Sequence, residues 1–156
     1  MLSQTIVAEL RSTQKFFNKS TACLQETDSG FVPAEGMYTV AAQVTHTALS
    51  IDWFVEGAFD PKGFAMDFEE HIQQANAATS LAAARELLDA AFDRAVAAFE
   101  GKTEEEILTP LPEGPVMGGQ PRIAVISGIV DHTGHHRGAL TVYSRLCGYE
   151  PEMPYS

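Results

Sequence analysis

Gly128-Ile129-Val130-Asp131-His132-Thr133-Gly134-His135-His136-Arg137-Gly138-Ala139-Leu140 holds three of the five histidines of the chain within five residues. Val125, Ile129, His132, His136, Leu140 and Tyr143 recur at three- and four-residue spacing, which predicts an amphipathic helix with this set on its inner stripe. His132 and His136, at i and i+4, then stack on one face about one turn, or roughly 6 Å, apart. Two neutral imidazoles so placed can grip a divalent cation at roughly 2.0–2.1 Å. Hydrogen-bonded core histidines share this spacing, so the pair alone leaves both roles open.

The helix around this pair is expected to begin near Pro121, a residue suited to a first helical turn, and to run to Cys147, with Gly148 as its stop. Three further long helices read outward from it. Ile6, Leu10, Thr13, Phe17, Thr21 and Leu24 predict the first over about Ser3 to Gln25, with Ser3 as its cap and Asp28-Ser29-Gly30 beyond its end. The second is expected over about Thr39 to Gly57. Val40, Val44, Leu49, Ile51, Trp53, Phe54 and Val55 make it apolar on more than one face, the pattern of a deeply buried helix. After Pro61 and Gly63 a short helix over Asp67 to Ala77 carries His71. The third long helix follows Ser80 and reaches Glu100, with Gly101 as its C-cap and Thr103 and Glu106 spaced for a capping box just after. Thr109 to Gln120 reads as a Pro- and Gly-rich loop. No strand pattern and no internal repeat is visible. The expectation is an all-α protein, a four-helix bundle with long connecting loops forming one domain over residues 1–156.

With 156 residues, 45% of them hydrophobic, the chain has material for one real core. A formal net charge of −11 argues against nucleic acid, whose phosphates need a basic footprint, and against an anionic membrane surface. No apolar run approaches the ~20 residues that cross a bilayer. Met1 to Ile6 shows no basic segment leading into an apolar one, and Cys23 and Cys147 lie far apart without a CxxC pattern. These features point to a cytoplasmic protein with reduced thiols.

His46 shifts the balance for the histidine pair. It is the one histidine inside the buried second helix, and if that helix neighbours the last, His46 completes a three-nitrogen set with His132 and His136. His135 lies about 100° round the helix from His136 and is expected outside the set. His71, in a polar segment, is expected at the surface, and Asp131 and Arg137 on a solvated helix face. The HxxxH spacing lacks the glutamate of a zinc protease, and the Glu-x-x-His pairs of di-iron bundles are missing. There is no Gly-rich phosphate loop and no Gly-x-Ser-x-Gly elbow, and Cys147 reads as packing rather than as a nucleophile.

Two segments resemble the DinB family. One is Phe31-Val32-Pro33-Ala34-Glu35-Gly36-Met37-Tyr38-Thr39-Val40-Ala41-Ala42-Gln43-Val44-Thr45-His46. The other is Val130 to Leu140, followed by Tyr143, Leu146, Gly148 and Pro151. The resemblance implies an up-down-down-up bundle, often dimeric, with a metal triad that maps onto His46, His132 and His136. It implies zinc, nickel or iron, and in some relatives a metal-dependent thiol S-transferase activity using bacillithiol or mycothiol, or the isomerisation of maleylpyruvate with a thiol cofactor. The damage-inducible name of the family does not imply DNA binding, in agreement with the acidic charge.

Three histidines leave open positions on a cation. A thiol bound there would be deprotonated and presented to an electrophile, whereas water in its place would make a hydrolase. A third possibility is a non-catalytic metal-binding, stress-response module. A structural zinc site is normally closed by four protein ligands, so three candidates favour an open site. The expected function is therefore a metal-dependent transferase with a low-molecular-weight thiol as nucleophile and a small-molecule substrate. Its pocket is expected near Trp53, Tyr143 and the Tyr149–Tyr155 tail, with Arg137 as a second-choice partner for a carboxylate of the thiol. A symmetric homodimer formed through helices is expected as well.

Overall fold

Capping residues and the apolar stripes between them divide the chain into six α-helices and no strands. The computed structural model describes residues 1–156 as α1 (Leu2–Thr21), a 3-10 turn (Glu26–Asp28), α2 (Val40–Phe59), α3 (Glu69–Ala77), α4 (Leu81–Phe99), α5 (Glu104–Leu108) and α6 (Ala124–Leu146). The Thr39 side chain accepts from the Ala42 amide at the start of α2, and Ser80 does the same for Ala83 at the start of α4. Thr103 and Glu106 form the expected capping box of α5.

Three boundaries depart from the sequence pattern for local reasons. Helix α1 ends at Thr21, not near Gln25, because Gln25 is extended and exchanges side-chain and backbone bonds with Asp28 to open the 3-10 turn. Helix α6 begins at Ala124, three residues past Pro121. Thr109 and Leu111 hold the flanks of Pro121 through Arg122 N to Thr109 O (2.9 Å) and Leu111 N to Gln120 O (2.7 Å). Ser3 caps nothing: it lies inside α1, and its buried hydroxyl donates to the Phe99 carbonyl at 2.7 Å.

That last bond and others like it set the helix directions. Ser3 joins the start of α1 to the end of α4, and Arg85, near the start of α4, donates to the Thr21 carbonyl at the end of α1. These two helices are antiparallel. Ser29 receives the Ala41 amide on its carbonyl and the Leu81 amide on its hydroxyl, so the starts of α2 and α4 meet and the two run parallel. Tyr143 bonds to Tyr38 O and Arg122 to Ala58 O, which makes α2 and α6 antiparallel. Helices α1 and α6 thus point one way and α2 and α4 the other.

The core fills the space between these four. Leu10, Phe17, Val40, Val44, Leu88, Phe92, Phe99, Ile129 and Leu140 are wholly buried, each such side chain contributing roughly 1.5–3 kcal/mol. Twelve of the 20 residues of α2 are buried, against eight of 23 in α6, so α2 is the central helix its composition predicts. Its polar members Gln43, Thr45, Thr47 and Ser50 are buried with it. No helix is long and apolar enough to cross a membrane.

Two helical glycines with opposite surroundings test the packing. A Cβ on Gly57 in α2 would lie 2.2–2.6 Å from three ring atoms of Phe64, whereas one on exposed Gly138 in α6 meets nothing within 4 Å. Gly57→Ala is expected to destabilise by about 1–3 kcal/mol through overpacking. Gly138→Ala is expected to stabilise by about 0.5–1 kcal/mol through helix propensity. Thermal melts should therefore shift in opposite directions, by roughly 2–4 °C per kcal/mol.

Candidate metal centre

Antiparallel packing of α2 on α6 brings His46 opposite the face that carries His132 and His136. His132 Nε2 lies 3.2 Å from His46 Nε2 and 3.2 Å from His136 Nε2. The candidate ligand atoms of the three all fall within 4.8 Å of one another, and no Cys, Asp or Glu joins them. Two nitrogens that share one cation at roughly 2.0–2.1 Å stand roughly 2.9–3.4 Å apart, so both 3.2 Å separations suit a common ion. The three residues are thus positioned to bind a metal ion.

The outer ring nitrogens explain the aim of the inner ones. His136 Nδ1 lies 3.0 Å from Gln43 Oε1, a carbonyl oxygen that can only accept. Nδ1 therefore carries the proton, and Nε2 turns a lone pair to the cluster. His46 Nδ1 lies 3.0 Å from His71 Nε2, and Tyr38 stacks on the His46 ring with centroids 5.1 Å apart and planes at 27°. Metal-binding histidines depend on such outer partners for tautomer and orientation.

Burial and the neighbouring imidazoles keep the cluster neutral. Burial first, then the charges that His132 and the other histidines would carry, lowers His46 to about 4 and His136 to about 3. Burial is also the leading cause of the lowered values of His132 and His71. Neutral imidazoles are the form that binds metal.

His71 corrects the sequence reading, which put it at the surface. It is half-buried, bonds to His46 and lines the cavity beside the cluster. Phe68, His71, Ile72 and Ala75 share one face of α3 by their spacing, and Ala75 is fully buried. That short stripe was the available signal. His135 is exposed and edge-on to His136, outside the cluster as expected.

The cavity holds about 420 Å³ and is walled by Tyr38, Trp53, Phe54, Phe68 and Ile72, with His46, His71, His132 and Ser50 as its polar members. Of the walls expected from sequence, only Trp53 belongs to it. Tyr143 is buried, its hydroxyl donating to Tyr38 O at 2.9 Å, and Tyr155 packs edge-on against Phe16 across α1. Arg137 faces the same way, toward Ser20 Oγ at 3.2 Å and the Tyr155 hydroxyl. Residues that follow α2 close the cavity instead, fixed by Trp53 Nε1 donating to Ala65 O at 2.7 Å.

Residues 9–140 match the DinB superfamily, and the chain belongs to it. The crystal structure of a DinB-like protein from Bacillus subtilis, YjoA, is similar in fold, with a TM-score of 0.68, 20% sequence identity and 96% of each chain covered. No curated protein matches the chain.

The lowered histidines predict a pH dependence. An unfolded chain protonates its histidines near 6.5, whereas native His46 and His136 stay neutral to about 4 and 3. Stability is therefore full above pH 6.5 and lost as the pH falls from there toward 4 and 3. Denaturant titrations of chelator-treated protein at pH 7 and pH 5 should show this loss. It should be smaller in the His46→Gln, His136→Gln double variant, and equal losses in the two proteins would assign it to other groups.

Proposed function

We propose that this protein binds one divalent ion, zinc, nickel or iron, through His46, His132 and His136. We further propose that it works as a metal-dependent transferase in which a low-molecular-weight thiol attacks a small electrophilic substrate. The observation that carries the reading is a cluster of three inward-aimed nitrogens with no fourth protein ligand, beside a cavity of about 420 Å³. A structural zinc site would be closed by four ligands. A divalent cation held here favours the thiolate form of a thiol.

The chain's own residues have distinct parts in this reading. Gln43 and His71 hold the outer nitrogens of His136 and His46. Trp53, Phe54 and Phe68 keep water from the space in which thiol and electrophile meet. The Ser50 hydroxyl is engaged with His46 O at 2.8 Å, and Cys23 and Cys147 do not line the cavity. In this reading the nucleophile comes from outside. A cytoplasmic homodimer belongs to the same reading, supported by exposed Val142 and Leu146 one turn apart on α6. Sedimentation at micromolar concentration should give twice 16.9 kDa.

Untagged protein is expected to carry close to one metal ion per chain by elemental analysis, and the His132→Ala, His136→Ala double variant almost none. Metal-loaded protein should speed the alkylation of one member of a panel of bacillithiol, mycothiol, glutathione and coenzyme A, and His46→Ala should abolish the gain. Hydrolysis of an ester or amide without thiol turnover would instead establish a hydrolase. Bound metal with neither activity would establish a non-catalytic module.

His71 supplies a narrower test. His71→Leu removes the partner of His46 Nδ1 and is expected to weaken metal binding by about 10–100-fold in chelator competition. His71→Gln, which keeps an acceptor, should recover most of it.

A further inference from the structure

We propose that the cavity beside the histidine cluster selects uncharged, apolar organic groups of benzyl size and rejects those that carry a carboxylate. For the thiol and electrophile themselves this rests on the transfer reading above. For the cavity as a binding site it rests on its walls alone.

The walls are aromatic and closely set. Trp53 lies 5.0 Å from Phe54 and 5.6 Å from Phe68, centroid to centroid, and Tyr38 covers His46. Flat rings in edge-on and tilted packing suit a further ring among them. The space of about 420 Å³ falls in the range of small-molecule sites.

Charge decides the rest. No Lys, Arg, Asp or Glu lines the cavity. The groove that adjoins it shares Trp53, Phe68 and His71 and adds Asp52, Glu56, Asp67 and Glu70. The guanidinium bonded to this groove, Arg94, is held by both carboxylate oxygens of Asp52 at 2.8 and 2.7 Å. Arg137, the residue the sequence offered for a carboxylate, faces α1 instead. A carboxylate on the far end of a ligand whose head reaches the histidines would thus lose its water without gaining a cationic partner, or would meet four acidic residues. With the thiol or hydroxyl head at the histidines, a rigid ring keeps its far end away from a cation bound there.

Two pairs of rigid probes differ only at that far end. One pair is 4-methylbenzyl mercaptan and 4-(mercaptomethyl)benzoate, and the other 4-methylbenzyl alcohol and 4-(hydroxymethyl)benzoate. Binding to the protein as isolated is read from the emission of Trp53, the single tryptophan, and checked by calorimetry. The uncharged member of each pair is expected to bind at least tenfold tighter. Ile72→Lys, at a wall position 48% exposed on α3 and so tolerant of a charge, is expected to abolish or reverse that preference. Equal or tighter binding of the carboxylates, or an unchanged preference in Ile72→Lys, overturns the proposal. The alcohol pair separates this outcome from the transfer reading. If no thiol is alkylated faster while the uncharged alcohol keeps its advantage, the transfer reading falls and the selectivity stands.

Discussion

Three imidazoles meeting in a seam between two helices is the constraint around which the rest of this molecule is arranged. His132 Nε2, 3.2 Å from both His46 Nε2 and His136 Nε2, can give a single proton to only one of them in a low-dielectric interior. An added proton or a shared cation engages the rest. Burial and mutual repulsion oppose the proton, holding His136 to about 3. The polar members of α2 follow from the same demand. Gln43 is buried, and it fixes one tautomer through its bond to His136. The helix with the most buried residues is therefore also the one that imports polarity into the core.

The second consequence lies on the open side. Helix α6 contributes His132 and His136 but little of the cavity wall, most of which comes from α2, from α3 and from Tyr38. Phe68 and Ile72 remain exposed on the outer side of the wall, and Ala75 is the one buried residue of α3. This part of the site is held by a few contacts, among them His71 on His46 and Trp53 on Ala65.

Much of this was legible in the sequence. Helical spacing revealed the long helices because each buries one continuous stripe, and the apolar breadth of its segment revealed the central place of α2. The i, i+4 histidines revealed one side of the cluster because the repeat of a helix fixes which residues share a face. His46 was found as the lone histidine of a buried helix. His71 was missed because α3 buries so little that its pattern is dominated by Glu69, Glu70, Gln73 and Gln74. The tail was assigned to the pocket because Tyr149 and Tyr155 are aromatic. Aromatic character does not encode which side of α6 a segment packs on, and Tyr155 belongs to the α1 side. Helix ends were displaced where side chains compete with the helix, as Gln25 and Asp28 do.

The parallel run of α2 and α4 obliges the chain between them to travel the length of the bundle. A helix of about 20 residues spans roughly 30 Å, and residues 60–80 must retrace it before α4 can start. The return leg is spent on the roof of the cavity. Ligand set and roof thus sit on different stretches of polypeptide, joined by the His46–His71 contact and by Trp53, which bonds to Ala65 O and packs on Phe68. A change in the length or character of this obligatory return therefore reaches the histidine cluster itself, because His71 rides on it and holds His46.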